Sequence, residues 1–352
     1  MKNIDLLSRT AQLAHLADSR VGDNPRVGAV LLHDGRIIGE GYHQQAGEAH
    51  AEVNCLASVR EADQHLIPES TLYVSLEPCC IKGRTPACTG LILKEHIRKV
   101  VFAQRDTTDE VSGRGAGILR EAGVRVKEYP DFAPTEQTNR GRAVFTTQRR
   151  PFVLLKYAQS SDGFLRPKDR SRSYWITNPI SRRLTHRWRT ETNAILVGAG
   201  TVIDDDPSLT ARLFPGPSPR PVVIDLRGRL TGKERIFQSD GQRPLVFTGR
   251  KSNKLRADTI DIGEKELGKK ALRRIMKKLY ELKVGHLTVE GGATVLRAFI
   301  EQGLYDEARV FTGAVRFGNG LAAPLLPLAA QLVRTEQIGT DTLRTYTLPT
   351  KD

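Results

Sequence analysis

Cysteine is scarce in this sequence, and aromatic residues are few. Four cysteines in 352 residues are too few for a scaffold that is stabilised by disulfides. Aromatic residues account for 6% of the chain, and the basic residues do not alternate with them, which disfavours a surface that stacks nucleic-acid bases. Three of the four cysteines cluster between positions 79 and 88, which indicates a metal site in a reducing compartment.

Long apolar runs are also missing. No stretch approaches the ~18–20 consecutive apolar residues of a membrane span. The N-terminal segment carries Asp5, Ser8 and Arg9 where a secretion signal has an apolar run. We therefore expect a cytoplasmic protein with no membrane partner and no nucleic-acid partner.

Length and charge both indicate two domains. At roughly 150 residues per domain, 352 residues correspond to about two domains. The formal net charge of +14 is uneven, because residues 1–150 contain 20 basic and 19 acidic residues, which leaves 34 of 54 basic and 21 of 40 acidic residues for the remainder. A basic excess in one half fits a polyphosphate cofactor, a phosphorylated substrate or, less well, nucleic acid.

Strand and helix patterns alternate along both halves, which predicts an α/β fold. In the first half the patterns predict helices over 6–17, 50–62 and 118–122 and strands over 27–32, 36–41, 71–76, 99–103 and 124–126. In the second half they predict strands over 152–157, 193–197, 221–225, 244–247, 286–290 and 306–311 and helices over 181–189, 269–282 and 294–302. The polar segment 130–150 is interpreted as the connection between two domains.

The most specific chemical pattern is His50-Ala51-Glu52, followed by Pro78-Cys79 and then by Cys88. One imidazole and two thiolates leave the fourth position of a tetrahedral zinc ion open, as in catalytic zinc sites. The same order of residue types is typical of zinc deaminases, in which the glutamate moves protons without binding the metal. The pattern therefore predicts a metal site of His50, Cys79 and Cys88 with Glu52 as the catalytic residue.

The two other cysteines do not fit this site. Cys55 follows Glu52 in the same predicted apolar helix and is interpreted as a core residue. Cys80 adjoins Cys79 and is interpreted as spare. Eight residues separate Cys79 from Cys88, whereas nucleoside and tRNA deaminases typically have two at this place.

Residues 24–30, 41–52, 76–79 and 83–88 together resemble the deaminase domain of the bifunctional riboflavin-biosynthesis deaminase/reductases. Residues 156–163, 173–177 and 198–210 look like the reductase domain of the same family. The resemblance implies a cytidine-deaminase-like three-layer domain over 1–147 that binds zinc and deaminates a pyrimidine. It also implies a dihydrofolate-reductase-like domain over 148–352 that uses NADPH.

The resemblance implies roles for individual residues of both domains. In the deaminase domain, the positions that match substrate contacts are Asn24, His43 and Arg84. In the reductase domain, the positions that match NADP contacts are Ala158, Trp175, Thr201, Asp205, Gly292, Ala293, Thr294, Val295, Leu296, Arg297 and Ala298. The positions there that match substrate contacts are Lys156, Ser173, Arg189, Leu209, Arg212 and Glu290.

Independently of the resemblance, Gly291 and Gly292 lie between a predicted strand and a predicted helix. Glycines at such a junction let backbone N–H groups approach a phosphate. The surrounding residues do not form the G-x-G-x-x-G of a Rossmann unit, which disfavours an ordinary dehydrogenase.

The function that the resemblance implies is a pair of successive steps of riboflavin biosynthesis. Zinc hydroxide and Glu52 would deaminate 2,5-diamino-6-(5-phosphoribosylamino)pyrimidin-4(3H)-one, and NADPH would then reduce the ribosyl group to give 5-amino-6-(5-phosphoribitylamino)uracil. The partner is thus a phosphorylated aminopyrimidine, and a homo-oligomer is expected. The alternative is a zinc deaminase for another aminopyrimidine or for nucleic acid, with a basic accessory domain. A zinc-stabilised binding module is disfavoured by the open coordination position and by Glu52.

Three short segments depart from the family pattern. Cys80-Ile81 replaces the usual Ser-His, whose His is thought to meet the substrate phosphate, and Asp106-Thr-Thr-Asp109 replaces Asp-Pro-Asn-Pro. Ala87 replaces a proline before the last zinc ligand. The zinc ligands are kept, and we expect Lys82 and Arg84 to supply the positive charge for the phosphate.

Overall fold

The computed structural model describes residues 2–83, 85–108, 110–169, 174–238, 241–249 and 255–348. The chain divides into two compact units, residues 1–149 (the first unit) and residues 150–352 (the second unit). In the described residues, no helix is both long and apolar enough to cross a membrane.

The first unit contains five strands and five α-helices in its described part. In chain order these are α1 (Asn3–Ala14), β1 (Gly28–His33), β2 (Arg36–Tyr42), α2 (Ala51–Ala57), β3 (Thr71–Leu76), α3 (Cys88–Lys94), β4 (Lys99–Gln104), α4 (Arg114–Glu121), β5 (Arg125–Glu128) and α5 (Ala133–Thr147). The strands form one sheet in the order β2-β1-β3-β4-β5. Strand β1 is antiparallel to β2 and β3, whereas β3, β4 and β5 are parallel.

Alternation along the strands places helices on both faces of this sheet. Leu72 and Val74 of β3 belong to a buried cluster that includes Cys55 of α2 and residues of α3 and α4. Tyr73, between them, belongs to a second cluster with Leu6 of α1. Since neighbouring side chains of a strand point to opposite faces, the first unit has three layers, as the sequence predicts.

Most of the segment 130–150, which the sequence indicates as the connection between two domains, is the helix α5 and belongs to the first unit. Pro134 lies in the first turn of the helix, where its missing N–H is not needed. The buried face of α5 carries small polar residues such as Thr135, Thr138 and Asn139, with Phe145 as its large apolar residue. A helix with so little apolar periodicity reads as a loop in sequence.

The second unit contains eleven strands and four α-helices in its described part. In chain order these are β6 (Phe152–Gln159), β7 (Phe164–Pro167), α6 (Pro179–Glu191), β8 (Ala194–Gly198), α7 (Ala199–Asp205), β9 (Arg220–Asp225), β10 (Leu245–Thr248), β11 (Asp258–Asp261), α8 (Lys269–Glu281), β12 (His286–Val289), α9 (Ala293–Glu301), β13 (Glu307–Thr312), β14 (Gly320–Ala322), β15 (Gln331–Ile338) and β16 (Asp341–Thr347). Nine strands form one sheet in the order β11-β10-β9-β8-β12-β6-β13-β16-β15, and β7 pairs with β14. All six strands and all three helices predicted for this half are present.

The long sheet of the second unit is covered on both faces. Residues of β6 such as Val153 and Leu155 share a buried cluster with Ile275 of α8 and Phe299 of α9. The opposite face carries α7 in a separate cluster. The seven strands from β11 to β13 run parallel, so their carboxyl ends meet at one edge of the sheet. This edge carries most of the predicted reductase residues, because β6, β8 and β12 end there.

Candidate functional site

Three side chains of the first unit form the only cluster with metal-ligand geometry found in its described residues. His50 is the N-cap residue of α2, Cys79 lies in the turn after β3, and Cys88 is the first residue of α3. Their donor atoms lie within 4.8 Å of one another. His50 Nδ1 is 3.5 Å from Cys79 Sγ and 3.2 Å from Cys88 Sγ. Tetrahedral zinc with bonds of about 2.0–2.3 Å separates its ligand atoms by roughly 3.5–3.8 Å, so the cluster fits this ion.

The turn that carries Cys79 is held against α4. The buried carboxylate of Glu77 accepts hydrogen bonds from the backbone N–H groups of Gly113 and Ala116. A Cβ atom on Gly115 would lie 2.1 Å from the carbonyl oxygen of Pro78, so only glycine permits this close approach. The start of α4 therefore fixes the Pro78-Cys79 turn.

The hydrogen bond between the Cys79 and Cys88 side chains shifts the pKa values of the two thiols in opposite directions. The Cys88 backbone N–H donates to Cys79 Sγ at 3.3 Å, and hydrogen bonds from the Cys88 and His50 side chains lower the pKa of the Cys79 thiol to about 4. The Cys88 pKa is raised, because the bond to Cys79 and burial both keep its proton in place. A divalent cation would allow both sulfurs to be thiolates, since its charge replaces that proton.

Glu52 lies beside the cluster and is 3% exposed. Burial raises the pKa of its carboxyl group, and the negative charge of Cys79 raises it further. A carboxyl group with a raised pKa is suited to accept and release protons near neutral pH.

The predicted substrate residues Asn24 and His43 contact one another at this site. His43 Nδ1 donates to the Ala49 carbonyl oxygen at 3.0 Å, so its Nε2 is the acceptor for Asn24 Nδ2 at 3.1 Å. Burial lowers the pKa of His43, which keeps the ring neutral. The His43 ring packs edge-on against the His50 ring, with a distance of 5.4 Å between centroids. Asn24 and His43 thus lie next to the donor cluster.

The remaining residues near the motif lie outside the cluster. Cys55 is fully buried in the apolar core, as the sequence predicts. Cys80 Sγ is 3.7 Å from the Glu110 carbonyl oxygen and belongs to no donor cluster among the described residues. Ile81 is 43% exposed and Lys82 is exposed. Arg84 lies outside the described residues.

A buried ion pair forms the centre of the second unit's candidate site. Arg189, in the last turn of α6, donates to both carboxylate oxygens of Glu290, at 3.1 Å from Nε and 2.7 Å from Nη2. Its Nη1 donates to the Thr210 carbonyl oxygen at 2.9 Å. Despite burial, the charges of Arg189 and Lys156 lower the pKa of Glu290 to about 2.

Lys156 and His186 face the same ion pair. Lys156 lies in β6, with its Nζ 5.9 Å from the centre of the Phe311 ring, and burial lowers its pKa. Burial, with the charges of Arg189 and Arg212, lowers the pKa of His186 to about 4. The arrangement therefore holds a permanent carboxylate beside two cations and one neutral imidazole.

The other predicted reductase contacts lie in α7, α9 and β6 and in the loop that follows α7. Gly292 starts α9 with φ +47°, and a Cβ atom there would lie 3.1 Å from Thr201 Oγ1. Residues 293–298 follow within α9, Ala158 lies in β6, and Asp205 ends α7. Leu209 is buried with φ +54°, a strained conformation for a leucine. Arg212 Nη1 donates to Ser208 Oγ at 3.0 Å.

Two predicted reductase residues, Trp175 and Ser173, remain. The Trp175 ring is 64% exposed and stacks on the Arg182 guanidinium, 4.4 Å from the ring centre. Ser173 lies outside the described residues.

Comparisons with known proteins cover both units. Residues 1–104 match the family of the cytidine and deoxycytidylate deaminase zinc-binding region, and residues 151–344 match the RibD C-terminal domain. The riboflavin biosynthesis protein RibD of Aquifex aeolicus is 38% identical over 313 residues, which cover 87% of this chain and 86% of that protein. RibD of Escherichia coli is 34% identical over 328 residues, which cover 89% of this chain and 88% of that protein. The chain belongs to the RibD family.

Solved structures agree with RibD membership. A diaminohydroxyphosphoribosylaminopyrimidine deaminase/5-amino-6-(5-phosphoribosylamino)uracil reductase of Thermotoga maritima superposes with a TM-score of 0.89 at 34% identity, over 99% of each chain. RibD of Acinetobacter baumannii superposes with a TM-score of 0.84 at 28% identity, over 98% of each chain. The predicted fold class, with a deaminase-like and a reductase-like part, is confirmed.

RibD membership also confirms the main functional expectation. The chain is an enzyme of riboflavin biosynthesis that combines a deaminase and a reductase, with zinc and NADPH as its cofactors. None of these relatives favours the alternative of a zinc deaminase for another aminopyrimidine or for nucleic acid, with a basic accessory domain.

Sequence reasoning missed three residues that the geometry brings to these RibD sites. Thr85 Oγ1 lies 3.1 Å from His50 Nε2, where it can orient the imidazole of a metal ligand. His186 lies beside Arg189, three residues earlier on α6. Trp188 stacks on Phe311 at 5.5 Å between ring centres. Thr85 was inside a family-like stretch, whereas the spacing of His186 and Trp188 in α6 carried no signal of its own.

Proposed function

We propose that the first unit deaminates a phosphoribosylaminopyrimidine and that the second unit reduces the ribosyl group of the product with NADPH. The observation that carries this proposal is the His50, Cys79 and Cys88 cluster, with buried Glu52 beside it, in a chain that matches RibD proteins along most of its length. The Thermotoga maritima neighbour bears the name of this pair of activities.

In the first unit we assign His50, Cys79 and Cys88 as the zinc ligands. When bound, zinc lowers the pKa of a water molecule so that a nucleophile is available near neutral pH. Glu52 carries protons, first to the pyrimidine ring nitrogen and then to the departing amine. Burial raises the pKa of the Glu52 carboxyl group, which favours the protonated form that donates to the ring nitrogen.

Asn24 and His43 are assigned to the aminopyrimidine ring. The neutral His43 ring accepts from Asn24 Nδ2, which leaves the Asn24 carbonyl oxygen to accept from an amino group of the substrate. Arg84 is assigned to the phosphate on the basis of the family-like sequence alone.

In the second unit we assign the NADPH contacts to Ala158, Trp175, Thr201, Asp205 and residues 292–298. The cofactor supplies the hydride, and the protein positions it against the sugar carbon. The junction of β12 and α9 can receive a phosphate, since glycine at 291 and 292 leaves the backbone N–H groups open.

The ribosyl group is assigned to Lys156, Arg189, Glu290, Leu209 and Arg212, with Ser173 added from the sequence pattern. Glu290 anchors Lys156 and Arg189 electrostatically, so both cations stay near one carboxylate. Lys156 has a lowered pKa, which suits a side chain that binds the ribose or donates a proton as the ring opens.

Three broader assignments complete the proposal. The deaminase domain is assigned to 1–147 and the reductase domain to 148–352, and the division of the chain near residue 150 supports this. A cytoplasmic location is supported by thiols that must stay reduced to bind metal. A homo-oligomer is supported by exposed Leu325, Leu328, Leu332 and Val333, which lie in and near the edge strand β15.

One assay tests the proposed function. Purified zinc-loaded protein is incubated with the diaminopyrimidine substrate, with and without NADPH, and the products are identified by mass spectrometry. We expect the deaminated ribosyl compound without NADPH and the ribityl compound with it. Release of ammonia from a different aminopyrimidine, with none from this substrate, would refute the assignment.

A further inference from the structure

Arg142 of α5 is a half-buried cation that the assignments above do not use. Its Nη1 donates to the Asp23 carbonyl oxygen at 2.9 Å, and its Nη2 donates to Thr108 Oγ1 at 3.0 Å. Its Nε is buried without a hydrogen-bond partner. Across the parts of the chain that the structure describes, no carboxylate forms an ion pair with Arg142.

A cation in this position is expected to have an anionic ligand. A partly buried charge without a counterion is costly, and two neutral oxygens compensate only part of that cost. The guanidinium has five N–H donors, of which the described contacts use two. Thr108 accepts from Arg142, so its own hydroxyl hydrogen remains available to a further acceptor. Arg142 and Thr108 therefore present neighbouring donors of the kind that phosphate accepts.

The surroundings place this pair at the deaminase site. Asp23, whose carbonyl oxygen Arg142 holds, directly precedes Asn24, which contacts His43. The His43 ring in turn packs against the His50 ring. Arg142 is thus connected to the donor cluster through the Asp23-Asn24 loop and the His43 ring. In the proposed substrate, the ribosyl group likewise separates the charged phosphate from the pyrimidine ring.

Asp106, two residues before Thr108, does not oppose an anion there, and Asp109 lies outside the described residues. Asp106 is 9% exposed, and its Oδ1 accepts the backbone N–H of Thr108 at 2.8 Å. That bond offsets part of the carboxylate charge and fixes the loop that carries Thr108. Ile81 offers no donor, so Arg142 and Thr108 would add to the positive charge and donors expected from Lys82 and Arg84.

We propose that Arg142, together with Thr108, binds the phosphate of the deaminase substrate. The inference rests on the proposed function, since it requires a phosphorylated aminopyrimidine at the first unit's site. Arg142 is then a substrate-binding residue that also holds the Asp23-Asn24 loop in place.

The test compares Arg142→Ala, Arg142→Lys and Thr108→Val in the full-length zinc-loaded enzyme. Deaminase KM and kcat are measured with the phosphorylated substrate and with its dephosphorylated analogue. Loss of charge-assisted hydrogen bonds in Arg142→Ala should raise KM for the phosphorylated compound roughly 10–100-fold with little change in kcat. The KM for the dephosphorylated analogue should rise much less, because only the contact of Arg142 with the Asp23-Asn24 loop affects it. Arg142→Lys should recover part of the loss, and Thr108→Val should show a smaller rise.

A binding measurement complements the kinetics. Inorganic phosphate should inhibit the wild-type deaminase competitively and inhibit Arg142→Ala more weakly, and calorimetric titration of the zinc-loaded protein with phosphate should show the same order. The matched control is Arg36→Ala, which also removes one arginine from the first unit but breaks an exposed pair with Asp63. This control should behave as wild type, because exposed pairs contribute little.

The outcomes separate this inference from the proposed function. If the wild type does not deaminate the phosphorylated compound, the proposed function fails. If the wild type is active and Arg142→Ala raises KM equally for both compounds, or changes neither, the phosphate assignment alone is overturned. Zinc content and thermal unfolding verify that each variant is folded. If Arg142→Ala does not fold, the test rests on Arg142→Lys and Thr108→Val. The inference is overturned if, in both variants, the ratio of KM for the phosphorylated compound to KM for the dephosphorylated compound equals that of the wild type.

Discussion

In the first unit, His50, Cys79 and Cys88 bring three possible metal-ligand atoms within 4.8 Å of one another. In the second unit, Arg189 and Glu290 neutralise one another, with side chains only 11% and 9% exposed. The first site brings together atoms that can bind a metal ion, whereas the second is held together by an ion pair between two of its own side chains. The two units should therefore respond differently to changes that remove metal and to changes that remove an internal charge.

The largest expected effect is on metal content. Cys79→Ser removes one of the three proposed ligands, so we expect bound zinc to fall from about one per chain to near zero and deaminase activity to disappear. Cys80→Ser is the matched control, because Cys80 lies outside the donor cluster and should keep full zinc. Atomic absorption on purified variants measures both. The reverse result would move the ligand assignment by one residue.

Glu52→Gln tests the proton carrier without touching the metal. The amide keeps the size of the side chain but cannot exchange protons, so deaminase kcat should fall by ~10²–10⁴-fold, while zinc content stays at the wild-type level. Reductase turnover of supplied deaminated intermediate should remain near wild type, since Glu52 belongs to the first unit. A folded variant that loses both activities would contradict the separation of the two sites.

Glu290→Gln tests the internal charge balance of the second unit. The change leaves buried Arg189 without its counterion, and breaking such a pair costs about 3–5 kcal/mol in the free energy of unfolding. Both tryptophans of the chain, Trp175 and Trp188, lie in the second unit, so denaturant unfolding followed by tryptophan fluorescence reports on this unit.

The control for Glu290→Gln is Arg187→Ala on the same helix. Arg187 forms an exposed pair with Glu191, and its loss should cost at most about 1 kcal/mol. Zinc content should not change in either variant. Equal, small effects of the two changes would show that burial of the Arg189–Glu290 pair does not matter for stability.

The smallest effect is expected in the pH dependence of the second unit. The pKa of His186 is lowered from 6.5 to about 4, so the fold favours the neutral ring. Its contribution to stability is present above pH 6.5 and is lost as the pH falls through about 4, because the unfolded chain binds the proton more readily. The lowered pKa of Glu290, about 2 against 4.5, adds a further loss below pH 4.5.

His186→Asn isolates the histidine part of this profile. The tryptophan-detected unfolding midpoint should decline less between pH 6.5 and 4 in this variant than in wild type, and the loss below pH 4.5 should remain. His96→Asn is the control, since His96 is exposed in the first unit. An unchanged slope in His186→Asn would mean that this ring is not kept neutral by the fold.

Elements with strong apolar periodicity were predictable, and those with polar buried faces were not. β3 was predicted with its observed limits, since Thr71–Leu76 is an apolar run bounded by Ser70 and Glu77. Helix α5 was missed because Thr135, Thr138 and Asn139 bury a polar face. Strands β15 and β16 were missed because β15 is exposed over most of its length and shows little burial pattern.

By itself, the sequence determined the chemistry of the metal cluster. His50, Cys79 and Cys88 are residue types that bind zinc, and each lies at or near the end of a helix or strand, so local structure places them. The tertiary structure decided the contacts between distant segments: Arg189 with Glu290, 101 residues apart, and Arg142 with Thr108, 34 residues apart. No spacing rule relates such pairs, because only the packing of helices α6 and α5 on their sheets brings the partners within hydrogen-bond distance.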